Sequence, residues 1–137
     1  MPINGKVFYD TNVLLYAADP SDRRGDIARH LLVTRRGNIS VQVLNEFVSV
    51  TRRKLKRSWP ELQAALGHLR VLFPEPEPIT AETHDAAIKV AVQHQLSIYD
   101  ALIVASATLA GCDILYSEDM SNAQRIGGVT IQNPFLK

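Results

Sequence analysis

The sequence predicts an α/β fold, with a mostly parallel sheet covered by helices on both faces. Three observations predict it. Short apolar runs of three or four residues alternate with helical stretches along the chain. The length of 137 residues suits one domain, spanning 1–137. Hydrophobic residues make up 46% and charged residues 21%, which argues against a disordered or low-complexity chain.

Each element has a local reason. Val7-Phe8-Tyr9 is a β-prone run that stops at Asp10. Thr11 to Ala18 reads as a helix, with Val13, Leu14 and Ala17 at helical spacing. Asp19-Pro20-Ser21-Asp22 ends it. A helix from about Asp26 to Thr34 follows, with Ile27, Leu31 and Leu32 facing inward. Asn38-Ile39-Ser40 is a short strand candidate. Val41 to about Lys56 is a long amphipathic helix, its stripe formed by Val43, Phe47 and Val50. Ser58-Trp59-Pro60-Glu61 reads as a cap with an early proline, and a helix runs from Glu61 to about Arg70.

Val71-Leu72-Phe73 reads as a strand, and Pro74, Pro76 and Pro78 then force an extended connection. Thr80 caps a helix reaching about His94. Ser97-Ile98-Tyr99-Asp100 reads as a turn before an apolar helix from Asp100 to Ala110, ended by Gly111. Ile114-Leu115-Tyr116 is a strand that stops at Ser117-Glu118-Asp119. Gly127-Gly128 is a turn before a last strand, Val129-Thr130-Ile131.

Charge and cysteine content narrow the function. Fifteen Lys+Arg against fourteen Asp+Glu leave a formal charge of +1. Nucleic-acid affinity would therefore come from local patches. One cysteine, Cys112, excludes an intramolecular disulfide framework and a multi-cysteine zinc site. No apolar run approaches the roughly 20 residues that span a bilayer. Residues Met1 to Lys6 lack the long apolar core of a secretory signal, so a cytoplasmic location is the default expectation.

Four acids have telling positions. Ligands of a parallel sheet collect beyond the carboxyl ends of its strands, near the point where strand order reverses. Asp10 and Asp119 lie at or just past strand ends, Asp100 fronts an apolar helix, and Glu46 sits in the long amphipathic helix. Each has a plain local reading: Asp10 or Asp100 as a helix cap, Glu46 as a half-exposed helical acid, Asp119 as part of a turn. Taken together they would repel one another in one cleft, and a divalent cation removes that penalty. Oxygen ligands suit Mg²⁺ or Mn²⁺ rather than zinc or copper. A hard ion held this way activates water and stabilises phosphodiester charge.

Phe8-Tyr9-Asp10-Thr11-Asn12-Val13-Leu14-Leu15-Tyr16-Ala17 resembles the opening motif of PIN-domain ribonucleases. Val43-Leu44-Asn45-Glu46-Phe47 resembles the second and Ile98-Tyr99-Asp100-Ala101-Leu102-Ile103-Val104-Ala105-Ser106-Ala107 the third. Leu115-Tyr116-Ser117-Glu118-Asp119-Met120 is similar to the fourth, with Ser117 and Asp119 meeting its Thr/Ser-x-Asp form. The motifs are in order and span nearly the whole chain. The most similar branch is the VapC-type toxins of toxin–antitoxin pairs.

That resemblance implies a Rossmann-like three-layer α/β/α sandwich. It implies that Asp10, Glu46, Asp100 and Asp119 are the acidic quartet binding Mg²⁺ or Mn²⁺, with Glu118 competing for the fourth place. Asn12 and Ser117 would orient the carboxylates through hydrogen bonds. The activity implied is endonucleolytic cleavage of single-stranded or structured RNA, leaving 5′-phosphate and 3′-hydroxyl ends. The implied partners are a second copy of the chain and a small VapB-type antitoxin, with no membrane. An acidic pocket of this kind would also attract a cationic side chain from the antitoxin.

Other features are weighed beside this. Arg52, Arg53, Lys54, Lys56 and Arg57 read either as a solvated helix end or as candidate RNA contacts. Trp59 and Tyr16 read as core or interface aromatics before base-stacking ones. His30, His68, His84 and His94 show no metal-ligand spacing, and Cys112 reads as a small buried hydrophobe. Aspartyl phosphoryl transfer is disfavoured, because Asn12 stands where a second Asp is wanted. A receiver domain is disfavoured too, because Ser117 follows the late strand where a Lys is wanted. The alternative retained is a non-catalytic RNA- or antitoxin-binding PIN module.

Overall fold

A computed structural model describes residues 5–136. Residues 1–4, part of the N-terminal stretch read above, lie outside them. The element order is β1 (Val7–Tyr9), α1 (Thr11–Ala17), α2 (Arg24–Thr34), α3 (Val41–Arg53), α4 (Trp59–Leu72), α5 (Ala81–His94), α6 (Ile98–Leu109), β2 (Ile114–Tyr116), β3 (Arg125–Ile126) and β4 (Val129–Gln132). The strands lie in the order β1-β2-β4-β3. β1, β2 and β4 run parallel, and β3 closes the edge antiparallel to β4. Consecutive residues Val7, Phe8 and Tyr9 are all buried, so both faces of β1 are covered.

The segment 38–40 pairs with the free side of β1 through a single parallel bridge, Phe8 to Asn38, and Ser40 bridges on to Glu77. It extends the sheet without forming a regular strand. From β1 the chain therefore goes first to one side, at 38–40, and later to the other, at β2. The place where strand order reverses lies beyond the carboxyl ends of β1 and β2.

The core fills around β1. Tyr9 stacks on Tyr116 at 5.6 Å and meets Phe73 edge-on at 6.0 Å. Its hydroxyl donates to the carbonyls of Leu31 and Arg35, satisfying a buried polar tip. α1 and α2 approach closely at Gly25, where an added Cβ would stand 2.7 Å from the Tyr16 carbonyl oxygen. Gly127 adopts φ +60 in the two-residue turn between β3 and β4, a conformation that favours glycine.

Several expectations are corrected. Residues 71–73 are not a strand: α4 continues to Leu72, and Phe73 is its C-cap. Of the apolar triplet only Phe73 is buried, Val71 faces out from the helix end, and length-three runs do not separate the two states. α6 begins at Ile98, capped by Ser97, so Asp100 lies inside the first turn rather than in a turn before it. α3 stops at Arg53, and Lys56 takes a left-handed φ of 53 beyond it. Ile27 is 43% exposed and does not face inward. β3 was not anticipated, since two residues carry no periodicity.

Candidate active site

The register of β1 on β2 builds the site. Tyr9 pairs with Tyr116, so the next residues, Asp10 and Ser117, emerge side by side. Asp10 is the N-cap of α1, and its Oδ1 accepts from the Thr11 backbone N–H at 2.7 Å. Its Oδ2 accepts from Ser117 Oγ at 2.7 Å and from Asn12 Nδ2 at 3.3 Å. The cap reading and the site reading of Asp10 are thus compatible: one carboxylate oxygen serves each. Asp10 is 3% exposed. Burial pushes its carboxyl up to about 7; the Ser117 and Thr11 hydrogen bonds oppose this, while the Glu46 and Asp100 charges add to it.

Asn12 and Ser117 join the acids together. The Asn12 Nδ2 also donates to Asp119 Oδ2 at 3.2 Å, and its Oδ1 accepts from the Glu118 backbone N–H at 3.2 Å. That N–H can only donate, which fixes the way the amide faces. Ser117 Oγ accepts from the Asp119 backbone N–H at 3.2 Å while donating to Asp10. One amide and one hydroxyl therefore hold the β2 loop against the start of α1.

Glu46 reaches the same edge from α3. Its Oε1 accepts from Thr11 Oγ1 at 2.8 Å, and its Oε2 from Gln42 Nε2 at 2.9 Å. Asp100 stands half-buried in the first turn of α6, where Ser97 Oγ accepts from its backbone N–H at 3.2 Å. Burial, with the Glu46 and Asp119 charges, holds the Asp100 carboxyl above its usual range. The four acids thus share one electrostatic neighbourhood although they come from four segments.

Among the described residues, no ion pair joins any of the four to a cation. Nor do three acidic, His or Cys side chains close into a ready-made ligand cage. Asp10, Glu46 and Asp119 each rest on neutral donors instead of converging, and the donor set remains all oxygen. Buried at Asp10, open at Asp119, unpaired and oxygen-only, it fits a hard divalent cation.

Glu118 is directed elsewhere. Arg24 Nη1 approaches its Oε2 at 3.0 Å, and the Tyr16 hydroxyl donates to its Oε1. Arg24 also lies over the Tyr16 ring, 4.0 Å from its centroid. Asp119, not Glu118, shares the Asn12 amide with Asp10.

The basic run is divided by the structure. Arg52 stacks over the Trp59 ring at 4.5 Å and donates to the Arg57 carbonyl. Arg57 faces Glu61 at 3.8 Å. Lys54 and Lys56 are exposed. Arg53 alone of the five lines the cleft that contains Glu46. Trp59 is 53% exposed, so it is not a core residue. Cys112 is buried, as expected, and burial pushes its thiol up. Sequence reasoning missed Thr11 and Gln42 as partners of Glu46. Gln42 stood at the i−4 position, and Thr11 between two motif residues.

The family model of the PIN domain matches residues 7–127. The chain belongs to the PIN-domain family. Solved structures share the PIN fold. VapC20 of Mycobacterium tuberculosis, a sarcin–ricin loop cleaving toxin, superposes with a TM-score of 0.66 at 21% identity, over 83% of this chain and 90% of that one. A toxin–antitoxin complex from Klebsiella pneumoniae gives 0.71 at 22% identity, over 95% and 98%. VapBC2 from Rickettsia felis, bound to a DNA fragment from its promoter, gives 0.68 at 18% identity, over 93% and 97%. Comparison with curated protein sequences finds no match. At such identities the solved structures establish the PIN fold and nothing finer.

Proposed function

We propose that this PIN domain is a divalent-metal-dependent endoribonuclease acting as the toxin of a VapBC-type pair. The observation that carries the reading is the network by which Ser117, Asn12 and Thr11 hold the carboxylates of Asp10, Asp119 and Glu46, unpaired with any cation, beyond the carboxyl ends of β1 and β2, with Asp100 in the first turn of α6. Structural likeness to VapC20 and to two toxin–antitoxin complexes supports the toxin assignment.

Asp10, Glu46, Asp100 and Asp119 would hold Mg²⁺ or Mn²⁺. When bound, such an ion supplies charge neutralisation at a phosphodiester and water of lowered pKa. The chain's own residues do the remaining work. Ser117 and Asn12 orient Asp10 and Asp119. Thr11 and Gln42 fix both oxygens of Glu46. Glu118 anchors the loop through Arg24 and Tyr16 and leaves the fourth place to Asp119. The partners we assign are single-stranded or structured RNA, a second copy of the chain and a small VapB-type antitoxin. No helix among the described residues is long and apolar enough to cross a membrane.

Purified, antitoxin-free protein incubated with structured and single-stranded RNAs plus Mg²⁺ or Mn²⁺ tests the reading. Cleavage is expected, abolished by EDTA and by Asp100→Asn. Cleavage that persists in both controls overturns the proposed site.

A further inference from the structure

Beside the acids lies an open cleft of about 480 Å³, lined by Gln42, Asn45, Glu46, Ser49, Arg53 and Tyr99. Its floor is one face of α3. Residues 42, 45, 46, 49 and 53 recur at helical spacing, beside the apolar stripe of Val43, Phe47 and Val50. Its wall is the start of α6, where Tyr99 precedes the acid Asp100. The cleft therefore contains one of the four carboxylates, Glu46, and its wall residue Tyr99 is the chain neighbour of a second, Asp100.

Three side chains in it have unused capacity. Tyr99 is 61% exposed, an aromatic face open to solvent beside a charged site. The Asn45 side chain is exposed on the same face. Arg53 is exposed, steadied by one hydrogen bond from its Nε to Ser49 Oγ at 3.2 Å. No carboxylate pairs with Arg53 among the described residues. Arg53 stands seven residues beyond Glu46, or about 10 Å along the helix axis. An aromatic platform, an amide with both a donor and an acceptor, and a free guanidinium form a recognition set for a single-stranded nucleotide.

Building on the ribonuclease reading, we propose that this cleft holds a nucleotide next to the cut phosphodiester, with its base stacked on Tyr99, its phosphate on Arg53 and its base edge against Asn45. Stacking is tolerant of base identity and supplies affinity. The Asn45 amide reads a Watson–Crick or Hoogsteen edge and supplies preference. The other cations of the basic run lie outside the cleft and contribute only to the long-range field.

The test is binding of a fluorescein-labelled, mixed-sequence single-stranded oligoribonucleotide, followed by anisotropy in the full chain. An Asp10→Asn background with Mg²⁺ keeps the RNA intact, and a gel verifies that. Tyr99→Ala is expected to weaken binding roughly 5- to 150-fold, the range for loss of one stacked base. Tyr99→Phe keeps the ring and stays within about twofold. Arg53→Ala lowers the slope of log affinity on log salt by about 0.7, one single-strand phosphate. Asn45→Ala flattens the preference among RNAs that differ at one base. Trp59→Ala, an exposed aromatic outside the cleft, leaves binding unchanged.

Binding indifferent to Tyr99→Ala, or lost with Trp59→Ala instead, overturns the proposal. So does an absence of RNA binding by the Asp10→Asn protein itself. A shift from dimer to monomer in sedimentation on Tyr99→Ala also overturns it, assigning this face to a second copy of the chain. The two readings fail separately. Cleavage by the unaltered protein with binding indifferent to Tyr99 removes the cleft alone. Tyr99-dependent binding without cleavage removes the nuclease alone.

Discussion

Two groups of like charge sit on this chain, and they behave in opposite ways. Arg52, Arg53, Lys54, Lys56 and Arg57 are near neighbours in sequence, yet the fold scatters them. Arg52 turns to Trp59, Arg57 to Glu61 and Arg53 to the cleft. Asp10, Glu46, Asp100 and Asp119 are far apart in sequence, yet the fold gathers them. The cations find water or a partner at little cost. The acids lie at one edge of the sheet on neutral donors, without a counter-ion, and burial raises the carboxyl of Asp10. Charges adjacent in sequence are most simply explained by solvent. Charges that topology brings together against their own repulsion call for a function.

The comparison breaks most easily at Asp10. Asp10→Asn keeps the N-cap acceptor for Thr11 but loses the charge. Cleavage is expected to fall by more than about 100-fold, since even groups that only orient a metal ligand are worth about 10- to 100-fold. Asp100→Asn is expected to do the same. Stability should move the other way. The Asp10 carboxyl is raised in the folded state to about 7, so the folded protein binds that proton more tightly than the unfolded chain. The associated stability is present below pH 4 and is lost as pH rises through about 7. In chelator, the unaltered protein should therefore melt lower at pH 8 than at pH 5. Asp10→Asn should lose less stability over that window. Equal pH dependence in both proteins would show that Asp10 carries no such penalty.

Asn12 sharpens the picture, because it touches two acids without adding charge. Asn12→Ala removes the donor shared by Asp10 and Asp119 and the acceptor for the Glu118 N–H. A loss of about 10- to 100-fold in kcat/KM is expected, with weaker Mn²⁺ binding by calorimetry. Unchanged Mn²⁺ affinity would reduce Asn12 to a fold-stabilising residue.

The sequence made the acids legible for one reason and the fold for another. Alternating apolar runs were enough for the parallel sheet, because β1, β2 and β4 are short, buried and bounded by polar stops. Phe73 was misread because a helix end and a three-residue strand look alike without their neighbours. Ser97 looks like a turn residue in sequence, but its side chain caps a helix that starts two residues before Asp100. The four acids were readable by their positions relative to strand ends and by family motifs. Of their fixing partners, Gln42 stood at the local i−4 spacing, whereas Thr11 did not show, since its hydroxyl meets Glu46 only through the crossing of α1 on α3. The cleft with Tyr99 needed the packing of α3 against α6, and no local pattern encodes that.

Glu118 and Asp119 are neighbours with the same charge and different surroundings. Glu118→Gln retains an acceptor for Arg24 and the Tyr16 hydroxyl, so cleavage should fall only about 2- to 5-fold. Asp119→Asn removes a charge that faces the other acids, and about 10-fold or more is expected. Kinetics of the two variants at saturating Mn²⁺ and at limiting Mn²⁺ discriminate between them. A larger loss at Glu118 would exchange their roles.

The smallest effect is expected at Lys54 and Lys56, and it completes the comparison. Both are exposed, and neither forms an ion pair among the described residues. Neither lines the cleft beside Glu46. Replacing both with Ala should leave thermal stability within about 0.5 kcal/mol, as for surface sites away from packing. Cleavage at low salt should fall a few-fold through slower encounter with RNA, and the difference should vanish near physiological ionic strength, where charges more than about 8 Å apart are screened. A loss that survives high salt would mean that these lysines touch phosphate directly. The scattered cations would then be a binding surface after all, and sequence adjacency would have carried more function than their surroundings imply.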